Sequence, residues 1–288
     1  MRNLSFILIL FLLSCKSDTK NQYFELISDN DIKLSKPIEG EWLYSHKEKG
    51  QNFKDFVNAK PIKPTASKNH IYLKPIGKFT ELQKQQIELV KEYLEIFFQL
   101  KVKILDDISN DLVPKNARRI GYENNEQLLA SYVLDSVLIK RKPKDAIVMM
   151  GLAELDLYPK PEWNYVFGLA SYADKVGISS IYRLQDTELT QANFNLCLTR
   201  LLKICSHEIG HMFDLHHCIN ANCVMNGTNN ISETDNNFSR LCSNCQQKLN
   251  YSIKYNNRKR LVELIEYFKK NKLNEELVIL QKDLREID

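Results

Sequence analysis

His207-Glu208-Ile209-Gly210-His211-Met212-Phe213-Asp214-Leu215-His216-His217 carries four of the six histidines in the chain. The run 190–211 reads as a helix, so His207 and His211 lie one turn apart and project from one face, where two imidazoles can reach the same ion. Glu208 stands beside the first of them and can face the open side of that ion without ligating it. Zinc held by three protein ligands keeps a position for water and lowers its pKa to about 7, which makes Glu208 the candidate general base for attack on a peptide carbonyl. A helical H-E-x-x-H arises by chance in unrelated proteins, and His217 is what makes the pattern specific. To bring it to the same ion, the helix must stop and the chain must turn back. Asp214 sits where that turn is needed; Asp tolerates the left-handed conformation at a cost of roughly 1 kcal/mol. A rival assignment makes Asp214 itself the third ligand. His216 reads as a bystander or an outer group.

Cys218, Cys223, Cys242 and Cys245 follow directly, as C-x4-C and C-x2-C pairs. Such pairs suit a closed, tetrahedral, structural zinc site. Disulfides are the competing reading, because an exported chain meets an oxidising compartment. Cys197 and Cys205, on the helix leading into the histidines, read as small buried hydrophobes.

Working outward, Ile71-Tyr72-Leu73 is a short strand closed by Pro75 and Gly77. A helix over 80–100 follows, with Ile87, Val90, Leu94 and Phe97 at spacings of three and four and Thr80 as its N-cap. Val102-Lys103-Ile104-Leu105 is a second strand, giving a β–α–β order that favours parallel pairing and a layered α/β or α+β core. A second helix is expected over 125–139, a third strand over 146–150, and paired strands over 163–184 with Gly168 and Gly177 as breaks. Leu261, Leu264, Ile265 and Phe268 mark an amphipathic helix, and 277–284 another. Residues 16–68, polar and punctuated by Pro37, Pro61 and Pro64, read as a tether passing into an irregular extension, with Trp42 and Tyr44 among a few aromatics that suggest local order.

The first fifteen residues read as a targeting segment. Arg2 gives the positive start, 4–13 an apolar core too short to span a bilayer, and Leu12-Leu13-Ser14-Cys15 resembles the lipobox of bacterial lipoproteins. That resemblance implies a lipid on Cys15, which would anchor the chain without its crossing the membrane. No transmembrane helix is expected elsewhere. The net charge of +4, with bases and acids interspersed, argues against nucleic acid as a partner.

Residues 207–245 together resemble the archaemetzincins, a metzincin group with the extended histidine motif, a cysteine directly after the third histidine, C-x4-C-x-M and C-x2-C. The likeness extends more loosely through Pro143-Lys144-Asp145-Ala146, Asp156-Leu157-Tyr158 and Val166-Phe167-Gly168-Leu169-Ala170, over roughly 70–250. Asp214, where the family has glycine, is the clearest departure. The resemblance implies an α+β, zincin-like fold with a mixed β-sheet, an active-site helix and a small C-terminal subdomain. It further implies that Met225 forms the Met-turn beneath the metal and that the strand after Phe167 rims the cleft.

The domain organisation expected is a signal peptide over 1–15, the extension over 16–68, the peptidase domain over 69–250 and C-terminal helices over 251–288. The function expected is an exported zinc metallopeptidase, lipid-anchored in a bacterial cell envelope. His207, His211 and His217 would hold catalytic zinc, Glu208 would be the base, and Cys218, Cys223, Cys242 and Cys245 would hold a second, structural zinc. Its partners would be a peptide or protein substrate and the membrane, and it would act as a monomer. Two other readings stay open: a zinc-stabilised binding lipoprotein that catalyses little, and a nucleic-acid-binding zinc ribbon.

Overall fold

A computed structural model describes residues 19–185 and 188–288. Cys15 and the apolar segment before it lie outside the described residues. The chain enters through α1 (Thr19–Leu26), α2 (Trp42–Ser45) and α3 (Phe53–Asn58), short helices joined by irregular backbone. Then come β1 (His70–Ile76), α4 (Glu81–Phe98) and β2 (Lys101–Ile104). Thr80 caps α4 in a reciprocal box with Gln83, and β1 pairs with β2 in parallel, as a β–α–β crossover requires.

Two short strands, β3 (Arg118–Ile120) and β4 (Glu126–Leu129), precede a helical turn α5 (Ala130–Tyr132) that runs into the π-helical Val133–Leu138. After β5 (Ala146–Ala153) and β6 (Asp156–Tyr158), β7 (Gly168–Ser171) and β8 (Val176–Ser180) form a hairpin. The remainder is helical: α6 (Phe194–Met212), α7 (Ile231–Asn236), α8 (Ser243–Ile253), α9 (Asn257–Lys270) and α10 (Leu277–Ile287).

The main sheet has the order β2-β1-β5-β8-β7 and is parallel except for β7, which runs antiparallel at one edge. β5 is central, and all of its residues are buried. Its alternate side chains feed opposite faces, as the pleat demands. Val148, Met150 and Leu152 pack with α4 and α6, whereas Met149 and Ala153 pack with the π-helical segment. Burial on both faces is why β5 reads as an unbroken apolar run. The fold is thus α+β with a mixed sheet, as expected.

The helix expected over 125–139 is wrong in its first part. Glu126-Gln127-Leu128-Leu129 has helix-forming composition, yet forms β4 between β3 and β6 in a second sheet. Gln127 is fully buried and donates to the Asp156 carboxylate at 2.7 Å, a contact that requires the extended backbone. Gly177 does not break a strand either; it lies inside β8, where a Cβ would come within 3.1 Å of Met150 and Met212.

The segment before β1 is irregular but packed. Tyr23, Phe24 and Ile27 form a small apolar cluster, and Phe56 is buried in the main core. Arg240, itself buried, bridges Asp31 to Asp283 of α10. Among the described residues no helix is long and apolar enough to cross a membrane.

Candidate active site

The end of α6 determines the site. Leu215 N–H donates to the Gly210 carbonyl at 3.1 Å and Asp214 N–H to the His211 carbonyl at 2.9 Å. With Asp214 at φ +66°, this is a Schellman stop. It turns the chain back so that His217 meets the helix-borne pair, and the ligand atoms of His207, His211 and His217 lie within 4.8 Å of one another.

Each ring is held through its Nδ1–H. His207 donates to the Val224 carbonyl at 2.8 Å, His211 to the Leu215 carbonyl at 2.7 Å, and His217 to Glu48 Oε1 at 2.7 Å. The Tyr172 hydroxyl also lies 2.7 Å from His211 Nδ1. These partners leave every Nε2 as a lone-pair donor. The Nε2 atoms of His207 and His211 stand 2.9 Å apart, two acceptors facing each other, which a cation between them would relieve. Burial, with His217 alongside, pushes His207 down to about 3 and His211 well below its ordinary value, so both stay in the neutral, ligating form. The three histidines therefore fit a metal ion.

Glu208 is buried, and burial pushes its carboxyl up to about 8; a divalent cation beside it opposes that shift. A Cβ on Gly168 would lie 2.5 Å from Glu208 Oε1, so the glycine that opens β7 makes room for this carboxylate. Glu208, His207, His211 and His217 line a cleft of about 690 Å³ together with β7 residues, Trp42 and Trp163. The outer edge of β7 is unpaired in the sheet and forms the expected rim.

Asp214 is not a ligand. Its carboxylate accepts from Lys175 at 2.6 Å and from Ile62 N–H at 3.0 Å. His216 is exposed and stands apart from the three histidines that could hold a metal. Met225 is buried beneath the helix: a Cβ on Gly210 would lie 2.4 Å from its sulfur, so helix and methionine interlock between the two histidines. Asn226 closes this turn, accepting from Cys223 N–H at 2.8 Å and donating to the Cys218 carbonyl at 2.7 Å.

Cys218, Cys223, Cys242 and Cys245 converge in a second cluster, all buried and none disulfide-bonded, with ligand atoms within 4.8 Å of one another. Hydrogen bonds from the Cys223, Cys242 and Cys245 thiols hold the Cys218 sulfur far below the ordinary thiol range. One point shared by four sulfurs is tetrathiolate chemistry; two disulfides would need only two close pairs. Cys197 and Cys205 are buried on α6, as their sequence context implies.

Sequence reasoning missed Glu48 and Tyr172. Glu48 lies 169 residues before the histidine it touches, and no spacing rule connects them. The aromatic Trp42, set in a polar stretch, was the only local signal.

A parallel-rich sheet with an antiparallel rim strand, an active-site helix stopped by a turn, and three converging imidazoles define a zinc-dependent metallopeptidase. The profile of Peptidase family M54 matches residues 77–251. Archaemetzincin-2 of Mus musculus is 31% identical over 286 residues, spanning 88% of this chain and 79% of that protein. The archaemetzincin of Pyrococcus furiosus is 33% identical over 184 residues, 62% of this chain and 91% of its own. The crystal structure of archaemetzincin from Methanopyrus kandleri matches with a TM-score of 0.52 at 26% identity, covering 66% of this chain and 97% of that one. The chain belongs to the archaemetzincins, peptidase family M54.

Proposed function

We propose that this zinc metallopeptidase hydrolyses peptide bonds with Glu208 as general base, His207, His211 and His217 as ligands of catalytic zinc, and Cys218, Cys223, Cys242 and Cys245 as ligands of a second, structural zinc. The convergence of three imidazoles and one buried carboxylate on the floor of a single cleft carries this reading. Bound zinc is a Lewis acid that polarises a carbonyl and acidifies water. The chain's own residues do the rest. The free edge of β7 offers backbone groups to an extended peptide, as in strand addition. Glu208 takes a proton from the attacking water, whose oxygen adds to the carbonyl carbon. It then passes that proton to the amide nitrogen as the C–N bond breaks. Gly168 keeps Glu208 and the rim strand close enough for both tasks.

The same proposal places the enzyme outside the cytoplasm, as a monomer held to a bacterial membrane by a lipid on Cys15. Arg2, the apolar core over 4–13 and Leu12-Leu13-Ser14-Cys15 support it. In cells fed a radiolabelled fatty acid, the parent should carry label and sediment with membranes, and Cys15→Ser should do neither. A labelled Cys15→Ser chain would refute the anchor.

Hydrolysis of a peptide library tests the mechanism. The parent should cleave in a zinc-dependent way, and Glu208→Gln should keep its zinc but lose about 10²- to 10⁴-fold in rate. Normal turnover by Glu208→Gln would sink the general base. A zinc-loaded, folded parent that leaves every peptide intact would instead favour a binding role.

A further inference from the structure

The extension before β1 does more than cover the molecule. Glu48 Oε1 accepts from His217 Nδ1–H and from Trp42 Nε1–H, both at 2.7 Å. The Trp42 ring meets the His217 ring edge-on at 5.1 Å, and its backbone N–H donates to Glu233 Oε1 at 2.9 Å. Gly227, just past Met225, leaves room for that indole, since a Cβ there would come within 2.5 Å of it. Gln51, buried, donates to the Asp214 carbonyl at 3.0 Å and accepts from His216 N–H at 3.3 Å. A Cβ on Gly50 would strike Ile219 at 2.8 Å. One stretch of backbone thus grips the loop 214–219 on both sides of the third histidine. The family profile begins at residue 77, while the match to Archaemetzincin-2 of Mus musculus spans 88% of the chain and so takes in residues 42–51.

We infer that Glu48 is a positioning residue for His217, and that residues 42–51 are a constituent of the metal site, not a shield to be removed from it. The inference rests on the proposed ligand role of His217. His207 and His211 ride on a rigid helix and donate to backbone carbonyls of their own domain. His217 has no helix beneath it, and its Nδ1 partner is a carboxylate from a distant segment. That partner fixes the tautomer with Nε2 free and holds the plane of the ring. Removing the carboxylate leaves an imidazole free to rotate and to take the other tautomer. Removing the whole segment would take the third ligand's orientation with it.

Zinc affinity of the full chain, measured by competition with a chromogenic chelator, tests the inference without recourse to turnover. Glu48→Ala should weaken the more loosely held zinc by about 10- to 100-fold. Glu48→Gln keeps an oxygen that can accept both hydrogen bonds but loses the charge, so it should fall between parent and Ala and guards against simple misfolding of the alanine chain. Cobalt(II) in the histidine site should show a shifted visible spectrum in both variants, with the thiolate-to-cobalt bands of the cysteine site unchanged. His211→Ala serves as the reference that loses the histidine-site metal. If that reference loses one ion while both Glu48 variants bind within about two-fold of the parent, the positioning role is overturned and the ligand assignment stands. If His211→Ala keeps its full metal content, the ligand assignment falls, and the role of Glu48 falls with it.

Discussion

The histidine cluster and the cysteine cluster lie in one continuous stretch of chain, residues 207–245, yet they differ in every property that matters to function. The four sulfurs are buried, their residues come from a tight turn and the start of α8, and they leave no side open. Of the imidazoles, His211 is buried and His207 and His217 are partly buried; all three face a cleft of about 690 Å³ and have a carboxylate beside them that no ion pair neutralises among the described residues. A closed tetrathiolate set can only hold structure together, whereas a three-nitrogen set on a cleft floor leaves a coordination position for chemistry. The turn 218–226 serves both: Val224 and Met225 support the histidines, while Cys218 and Cys223 belong to the sulfur cluster. The closed site thereby holds the floor of the open one.

The largest effect should come from the closed site. Folding free energy in small zinc-binding domains is about 10–16 kcal/mol of metal binding. Cys242→Ser should therefore cost at least about 5 kcal/mol and lower the melting temperature by roughly 10 °C or more. His211→Ala, by contrast, should abolish peptide hydrolysis while destabilising by only about 1–3 kcal/mol, the cost of losing the shorter of two donors to the Leu215 carbonyl, which the Tyr172 hydroxyl also reaches at 3.3 Å. Calorimetry of the two variants with matched zinc analysis checks the pair. If His211→Ala unfolds and Cys242→Ser stays folded, the division of labour is reversed. Gly210→Ala sits between the two sites. Its new Cβ would collide with a buried methionine sulfur, so an overpacking cost of about 1–3 kcal/mol is expected together with weakened zinc binding at the histidines. Met225→Ala in the same chain should recover part of the loss, since it removes the atom struck.

Both clusters were legible in the sequence, as other parts of the molecule were not. Residues 207–245 declare themselves because ligand spacing is a local property: helix period sets the i, i+4 pair, and short turns set the cysteine pairs. The sheet was legible where burial is two-sided, as in β5, or where a crossover helix enforces parallel pairing, as between β1 and β2. β4 was not, because Gln127 is buried for the sake of Asp156, which also takes Arg183 and Asn125, and a tertiary polar network leaves no period in the sequence. Glu48 was illegible for the same reason. Its function exists only once the chain has brought it to His217, and a glutamate in a polar stretch looks like any solvated one.

Asp214 provides the finest test, because it stands at a bend where glycine would be the least strained residue and the structure shows what its carboxylate gains. Glycine would relieve the left-handed backbone by about 1 kcal/mol. It would also delete a carboxylate that bonds Lys175 at 2.6 Å and Ile62 N–H at 3.0 Å, tying the β7–β8 hairpin and the segment before β1 to the bend. Charge-assisted hydrogen bonds of this kind contribute about 1.5–3 kcal/mol each when well formed, and partial exposure of the lysine pair reduces its share. The two ties outweigh the strain. Asp214→Gly should thus destabilise by about 1–3 kcal/mol and keep the histidine geometry, with zinc affinity close to that of the parent. Asp214→Asn, which keeps tolerance of the left-handed bend and one acceptor oxygen, should lie between them. A gain in stability for Asp214→Gly would mean that backbone strain outweighs both ties, and that this bend depends on its neighbours less than the cleft it supports.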